Sequence, residues 1–213
     1  MNDYVTDEEQ VERIKKWWSE NGSSVIVGLV IGIGGLSGWR FWVDYTTNQA
    51  GEASAYFSQA LDALQEQRHD SAIEQASLVL DEYASTPYAD LAYLALAKAY
   101  VETGDFARAA SQLESLIHQT DEPSLEMIAR KRLAAVQLQL GKLDAALATL
   151  EIDYPPTFTA GFEELKGDVL VARGDNQAAR QAYQKARLAN PAAANPRLLQ
   201  QKIDDLGTGG SIG

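Results

Sequence analysis

Residues Trp17–Trp42 read WWSENGSSVIVGLVIGIGGLSGWRFW, and no charged side chain stands between Glu20 and Arg40. A helix rises about 1.5 Å per residue, so about 20 apolar residues cross a hydrocarbon core about 30 Å thick. The pairs Trp17/Trp18 and Trp39/Trp42 bracket the run at about that distance, which suits aromatic belts at two membrane interfaces. All four tryptophans of the chain lie in this stretch. A transmembrane helix over 21–43 is the expected structure. A cleaved signal peptide fits poorly: the twenty residues ahead of the apolar run are long and acidic, and the one A-x-A sequence, Ala53-Ser54-Ala55, lies beyond Arg40 and Asp44. A buried helix of a water-soluble domain fits poorly too, because each glycine in a helix interior costs about 1 kcal/mol.

In a membrane the same glycines acquire a use. Ser24, Gly28, Gly32 and Gly35 fall on one helical face, and Gly28/Gly32 make a GxxxG pair. Small residues let two helices approach closely where lipid supplies no hydrophobic drive. This face is the candidate for packing against another membrane helix, either a second copy or a different protein. Glycine is also simply frequent in membrane helices.

Outward from the span, Arg13, Lys15 and Lys16 precede it, whereas after Arg40 no Lys or Arg occurs until Arg68. The excess of basic residues predicts a cytoplasmic tail over 1–20 and a domain over 44–206 on the opposite, periplasmic side. Val11, Ile14 and Trp17/Trp18 recur at helical spacing, so the tail is expected to lead into the membrane as helix. The chain has 213 residues and a formal net charge of −12. That acidity argues against a nucleic-acid partner, since phosphate neutralisation needs clustered Lys and Arg. There are no cysteines, which excludes disulfides, thiolate chemistry and Cys-ligated metals.

Beyond the span the chain turns to Ala, Leu, Gln and Glu with helical periodicity, and it repeats. Gly104, Gly141 and Gly174 each follow an apolar helix; an alanine comes five residues later (Ala109, Ala146, Ala179) and a large residue four after that (Leu113, Leu150, Tyr183). The glycine spacings are 37 and 33, close to the roughly 34-residue period of tetratricopeptide repeats. Glycine ends the first helix of each hairpin in a left-handed conformation; alanine lets the second helix lie close, and the large residue fills the groove between them. The third unit has Gly167 where its first helix must approach its neighbour, and Pro191 closing its second helix; Ala97 and Ala134 stand in place of Gly167 in the others. An earlier hairpin, Glu52–Gln67 then Ser71–Tyr83, reads as degenerate, without a turn glycine and ended by Pro87. Asn195–Leu206, with Leu198, Leu199 and Ile203 on one face, suits a capping helix, and 207–213 a flexible tail. The predicted fold is all-α, one transmembrane helix followed by a tetratricopeptide-like solenoid of helix hairpins; a generic alanine-rich bundle lacks the recurring register.

Chemistry is sparse. His69 and His118 stand far apart with no ligand spacing, and there is no Walker loop, dinucleotide-binding glycine motif or HExxH. The acidic pairs Asp121/Glu122, Glu163/Glu164 and Asp204/Asp205 fall at helix starts or turns, where they favour the helix dipole or solvation. These residues suggest no enzyme, cofactor or metal. A solenoid instead offers the faces of its first helices to protein partners. Tyr93, Lys98, Arg130, Gln137, Glu163 and Lys166 are the candidate lining residues, although the aromatic positions suit a core equally.

The opening QVERIKKWWSENGSSVIVGLVIGIGGLSGWRFW resembles the YfgM-like family of ancillary SecYEG translocon subunits. The likeness is carried by Glu20-Asn21-Gly22 before a glycine-rich span and Gly38-Trp39-Arg40 with an aromatic at its exit. It extends over the repeats and so over nearly the whole chain. The resemblance implies an inner-membrane protein of Gram-negative bacteria, N-terminus in, that associates with the SecYEG translocon. It also implies work with the membrane-anchored periplasmic chaperone PpiD on newly exported polypeptides; it supplies no catalytic residue. A structural scaffold of another envelope complex, without client binding, is the alternative, and homo-oligomerisation through the span stays open.

Overall fold

In the computed structural model the backbone is described for residues 7–189 and 196–208; Pro191, Asn195 and 209–213 lie outside the described residues. Those residues form helices joined by short turns, with no strand among them. The first helix, α1 (Asp7–Gln65), is continuous over 59 residues. It contributes to two compact units, one ending at Gln49 and one beginning at Ala50.

In the first unit the helix is long and apolar enough to cross a membrane. Ile26, Val27, Leu29, Val30, Ile31, Ile33 and Leu36 are each more than half exposed, a belt that water would penalise and lipid would not. Polar side chains at its two ends fold back onto the helix. The amide of Asn21 donates to the Trp17 carbonyl (3.1 Å), and the hydroxyl of Thr46 to that of Trp42 (3.0 Å). Each thereby satisfies itself without a partner outside the helix. A Cβ at Gly22 would come within 3.3 Å of the Trp18 indole, so glycine there lets the ring lie against the backbone.

The second unit is a stack of helix hairpins. After the C-terminal part of α1 come α2 (His69–Glu82), α3 (Tyr88–Glu102), α4 (Phe106–Gln119), α5 (Pro123–Gln139), α6 (Leu143–Leu150), α7 (Thr159–Arg173), α8 (Asn176–Ala189) and α9 (Pro196–Thr208). Four hairpins result, from α1/α2 to α7/α8. The first helices of the middle hairpins bury residues on two sides, so neither shows a single apolar stripe. On α5, Ala129, Leu133 and Val136 join the core of the first two hairpins, while Met127 and Ala134 join that of the last two. The second helices α4 and α8 bury one stripe, such as Ala109, Leu113 and Leu116 or Ala179, Ala182, Tyr183 and Ala186, and leave the other face wet. The array is closed at its C-terminal end by Leu199 and Ile203 of α9, both buried. Of the tail expected over 207–213, Gly207 and Thr208 belong to α9, and the rest lies outside the described residues.

The first hairpin is complete where its sequence reads as degenerate, and Gln67 does the work of the missing glycine. Gln67 has φ 58°, beside 79° at Gly104, 70° at Gly141 and 87° at Gly174. All four turns close with the same pair of bonds. At the first, the Gln67 and Arg68 amides donate to the carbonyls of Leu64 (3.2 Å) and Ala63 (2.8 Å); at the second, those of Gly104 and Asp105 donate to Val101 (3.1 Å) and Tyr100 (2.8 Å). This is the Schellman arrangement, which satisfies the last free carbonyls of a helix. The left-handed conformation costs a residue with a Cβ about 1–2 kcal/mol, of which glycine's larger unfolded-state entropy returns about half. Gln67→Gly is therefore expected to stabilise the domain by about 0.5–1 kcal/mol, read as a higher thermal midpoint, with Gly104→Gln moving it the opposite way.

Candidate functional site

The described residues contain no group of three or more His, Asp or Glu placed to hold a metal ion. Their notable concavities are grooves between helices. The first runs between α3 and α5, with a volume of about 340 Å³. Ala97 and Val101 of α3 and Ala135 and Val136 of α5 form its walls, and Leu113 of α4 lies at its floor. Its charged rim is Lys98 and Glu102 on one side and Arg132 on the other. On the other side of α3 a second groove of about 530 Å³ shares Lys98 and Glu102 and adds Leu64, Gln65, Gln67 and His69. The first helices of three successive hairpins thus line one track, apolar over α3/α5 and polar over α1/α3.

The electrostatics of the track are simple. The Glu102 carboxylate lies 3.3 Å from Nδ1 of His69 and 3.8 Å from Nζ of Lys98. The His69 nitrogen is buried without a properly aligned hydrogen bond. Arg132 takes part in none of the ion pairs of the described residues. The track therefore carries surplus positive charge within an acidic chain.

The six residues singled out from the sequence do not share one face. Lys98 stands on the track, its side chain about half exposed. The Tyr93 hydroxyl donates to Gln119 Oε1 of α4 (3.1 Å), tying the second hairpin together. Arg130 is engaged by Glu126 one turn earlier at 2.7 Å. Gln137 is buried and accepts from the Thr149 hydroxyl (2.8 Å). Glu163 is buried as well, beside Tyr154 and Lys185, and Lys166 pairs with Glu151. Glu163 and Lys166 line a different groove, between α6 and α8. Helical periodicity alone cannot tell the outer from the inner flank of a helix that is packed on both sides, and Val101, Arg132 and Ala135 went unnoticed for that reason. Arg132 did carry a signal: it ends the basic run Arg130-Lys131-Arg132.

Three polar clusters away from the track serve the fold. Asp105 caps α4, its carboxylate accepting from the Arg108 amide (3.0 Å) and guanidinium; the backbone bond first, then the side-chain bond, hold its carboxyl below the usual range. At the C-terminal end the Tyr183 hydroxyl donates to Asp168 (2.7 Å), and Lys202 of α9 reaches both Asp168 (2.7 Å) and Glu164 (3.0 Å). Burial first, then the bond to Asp168, raises the Tyr183 phenol. For Lys202 burial opposes the charge, yet the two carboxylates outweigh it and raise its pKa. On the first hairpin the Tyr83 hydroxyl donates to Glu52 (2.7 Å), a bond that leads the rise of its pKa to about 12.

Stacked hairpins with left-handed turns at a near-constant interval, behind an apolar helix of membrane-spanning length, define a helical-repeat protein carrying a candidate membrane anchor. Solved structures share the repeat fold. MamA superposes with a TM-score of 0.55 at 19% identity, over 73% of this chain and 86% of that one. The Cut9–Hcn1 hetero-tetramer of the APC/C gives 0.56 at 23% identity, over 75% of this chain and 29% of that one. The tetratricopeptide repeat-like domain family matches residues 15–208. The ancillary SecYEG translocon subunit of Escherichia coli (strain K12) is 34% identical over 206 residues, which is 97% of this chain and 99% of that protein. The protein of the same name from Haemophilus influenzae is 34% identical over 95% of this chain and 98% of its own length. The chain belongs to this family of ancillary SecYEG translocon subunits with a tetratricopeptide repeat-like domain.

Proposed function

We propose that the chain is a single-pass inner-membrane protein that acts as an ancillary subunit of the Sec translocon. In this reading residues 1–20 are cytoplasmic, 21–43 cross the bilayer, and the solenoid stands on the periplasmic side. There it joins the translocon to a membrane-anchored chaperone of the PpiD type that handles newly exported proteins. The observation that carries the reading is the 34% identity to ancillary SecYEG translocon subunits along essentially the full length of both chains. The orientation rests on the basic residues Arg13, Lys15 and Lys16 ahead of the span.

The span is given the role of lateral contact. A Cβ added at Gly28, Gly32 or Gly35 meets nothing within 4 Å, so nothing among the described residues requires glycine there, whereas a second helix packed on Ser24, Gly28, Gly32 and Gly35 would. That helix belongs to the translocon or to a second copy. The solenoid supplies the binding surface, and anchoring raises its effective concentration toward anything emerging beside it. Purification of the tagged full-length protein in mild detergent tests this. SecY, SecE and SecG are expected to co-elute with it, together with a periplasmic chaperone. Elution with one unrelated envelope complex and no translocon subunit would contradict it.

A further inference from the structure

The grooves along α1, α3 and α5 do more than mark a generic binding face. We infer that this track takes an extended polypeptide segment carrying one aliphatic or aromatic side chain flanked by carboxylates. The inference deepens the proposed function and rests on it for the claim that proteins are what the domain meets.

The α3/α5 groove is lined by Ala97, Val101, Ala135 and Leu113 and has a volume of about 340 Å³, room for one large apolar side chain. Val101 is 39% exposed, a cost that an occupant would remove. Among the described residues Arg132 on the rim pairs with no carboxylate, while Glu102 on the opposite rim is engaged by His69 and Lys98. Charge complementarity therefore favours acidic residues beside the apolar one. Gln65, Gln67 and Gln139 stand exposed along the two grooves. A primary amide both donates and accepts, which matches the paired N–H and C=O groups of an extended backbone. A second groove sharing Lys98 and Glu102 lets such a segment continue across α3, where a compact ligand would need only one.

The test is fluorescence anisotropy with the full-length protein in detergent micelles. The probe is a labelled nonapeptide holding one Phe flanked by two Asp in a Gly/Ser background. Replacing its Phe by Ser, or its Asp residues by Lys, is expected to weaken binding at least tenfold. The double variant Lys98→Glu/Arg132→Glu is expected to reverse the charge preference, and Val101→Glu to abolish binding of the original peptide. These side chains lie at least partly in solvent, and an unchanged circular dichroism spectrum verifies folding. Binding that ignores the peptide's charge and the variants, or no binding at all, overturns the inference. So does concentration-dependent self-association that Val101→Glu abolishes, because a second copy then fills the groove. Crosslinking from position 32 to translocon subunits, measured in the same variants, separates the two ideas. Its persistence with an inert groove sinks only the peptide track, whereas its absence from the unaltered protein sinks the translocon reading itself.

Discussion

Gly167→Ala is expected to destabilise the C-terminal hairpin, although alanine is the better helix former. A Cβ at position 167 would lie 2.2 Å from Cε1 and 2.4 Å from Cδ1 of Tyr183. The ring cannot yield easily, because it is buried, bonded through its hydroxyl to Asp168 and covered by the Lys202 ammonium at 5.4 Å. Overpacking of this kind costs about 1–3 kcal/mol, occasionally more, against a propensity gain of about 1 kcal/mol. The clash wins. With an approach of 2.2 Å the cost lies at the upper end of that range, and a net loss of up to about 2 kcal/mol follows. It is read as faster hydrogen exchange in α7, α8 and α9 with little change in α2 and α3, since a repeat array loses stability where its local interfaces fail.

The same position explains how the repeats differ. Sixteen residues separate Gly167 from Tyr183, Ala134 from Leu150, Ala97 from Leu113 and Ala60 from Ala76. Every member of these pairs is buried. In the last three hairpins the smallest residue is opposed to the bulkiest and alanine to leucine, so summed volume is kept where identity is not; Ala60/Ala76 of the first hairpin falls below it. Gly167→Ala combined with Tyr183→Leu reproduces the pairing of the two preceding hairpins. The double variant should recover most of the loss, a coupling that independent sites do not show.

Phe162→Ala is expected to cost about 3–5 kcal/mol, the range for removing a fully buried aromatic ring. Phe162 is 1% exposed and among the largest fully buried side chains. Its ring centroid lies 4.6 Å from that of Tyr154 and 6.3 Å from that of Phe158, in edge-to-face contact with the latter. These three rings hold the irregular link between α6 and α7, where α6 has only eight residues. Truncation therefore removes the anchor of the link as well as core volume. A lower thermal midpoint accompanied by protease cleavage within 151–158 is the expected result. Cleavage elsewhere would show that the link is held by something other than this cluster.

Much of this architecture was legible because its determinants are local. A charge-free run bracketed by tryptophans needs no tertiary information, and the glycine, alanine and large-residue register encodes each hairpin within one unit. Gln67 was missed for a physical reason: the first hairpin is held in register by neighbouring packing, as at Ala72 and Ala76, strongly enough to impose a left-handed φ on a residue that disfavours it. The site was less legible than the fold. Gln137 and Glu163 are polar by sequence yet buried by position, because partners on adjacent helices satisfy them. Which flank of α5 lies open depends on where α3 and α7 settle, and no periodicity within α5 contains that.

The most direct test of the account is site-specific photocrosslinking in living cells, with probes at Gly32 in the span and at Val101 and Arg132 on the track. The account predicts crosslinks from position 32 to translocon subunits. It predicts crosslinks from the two track positions to a periplasmic chaperone or to exported polypeptides. Crosslinks from the track to cytoplasmic proteins would contradict the orientation, and the absence of any translocon crosslink from the span would contradict the account as a whole.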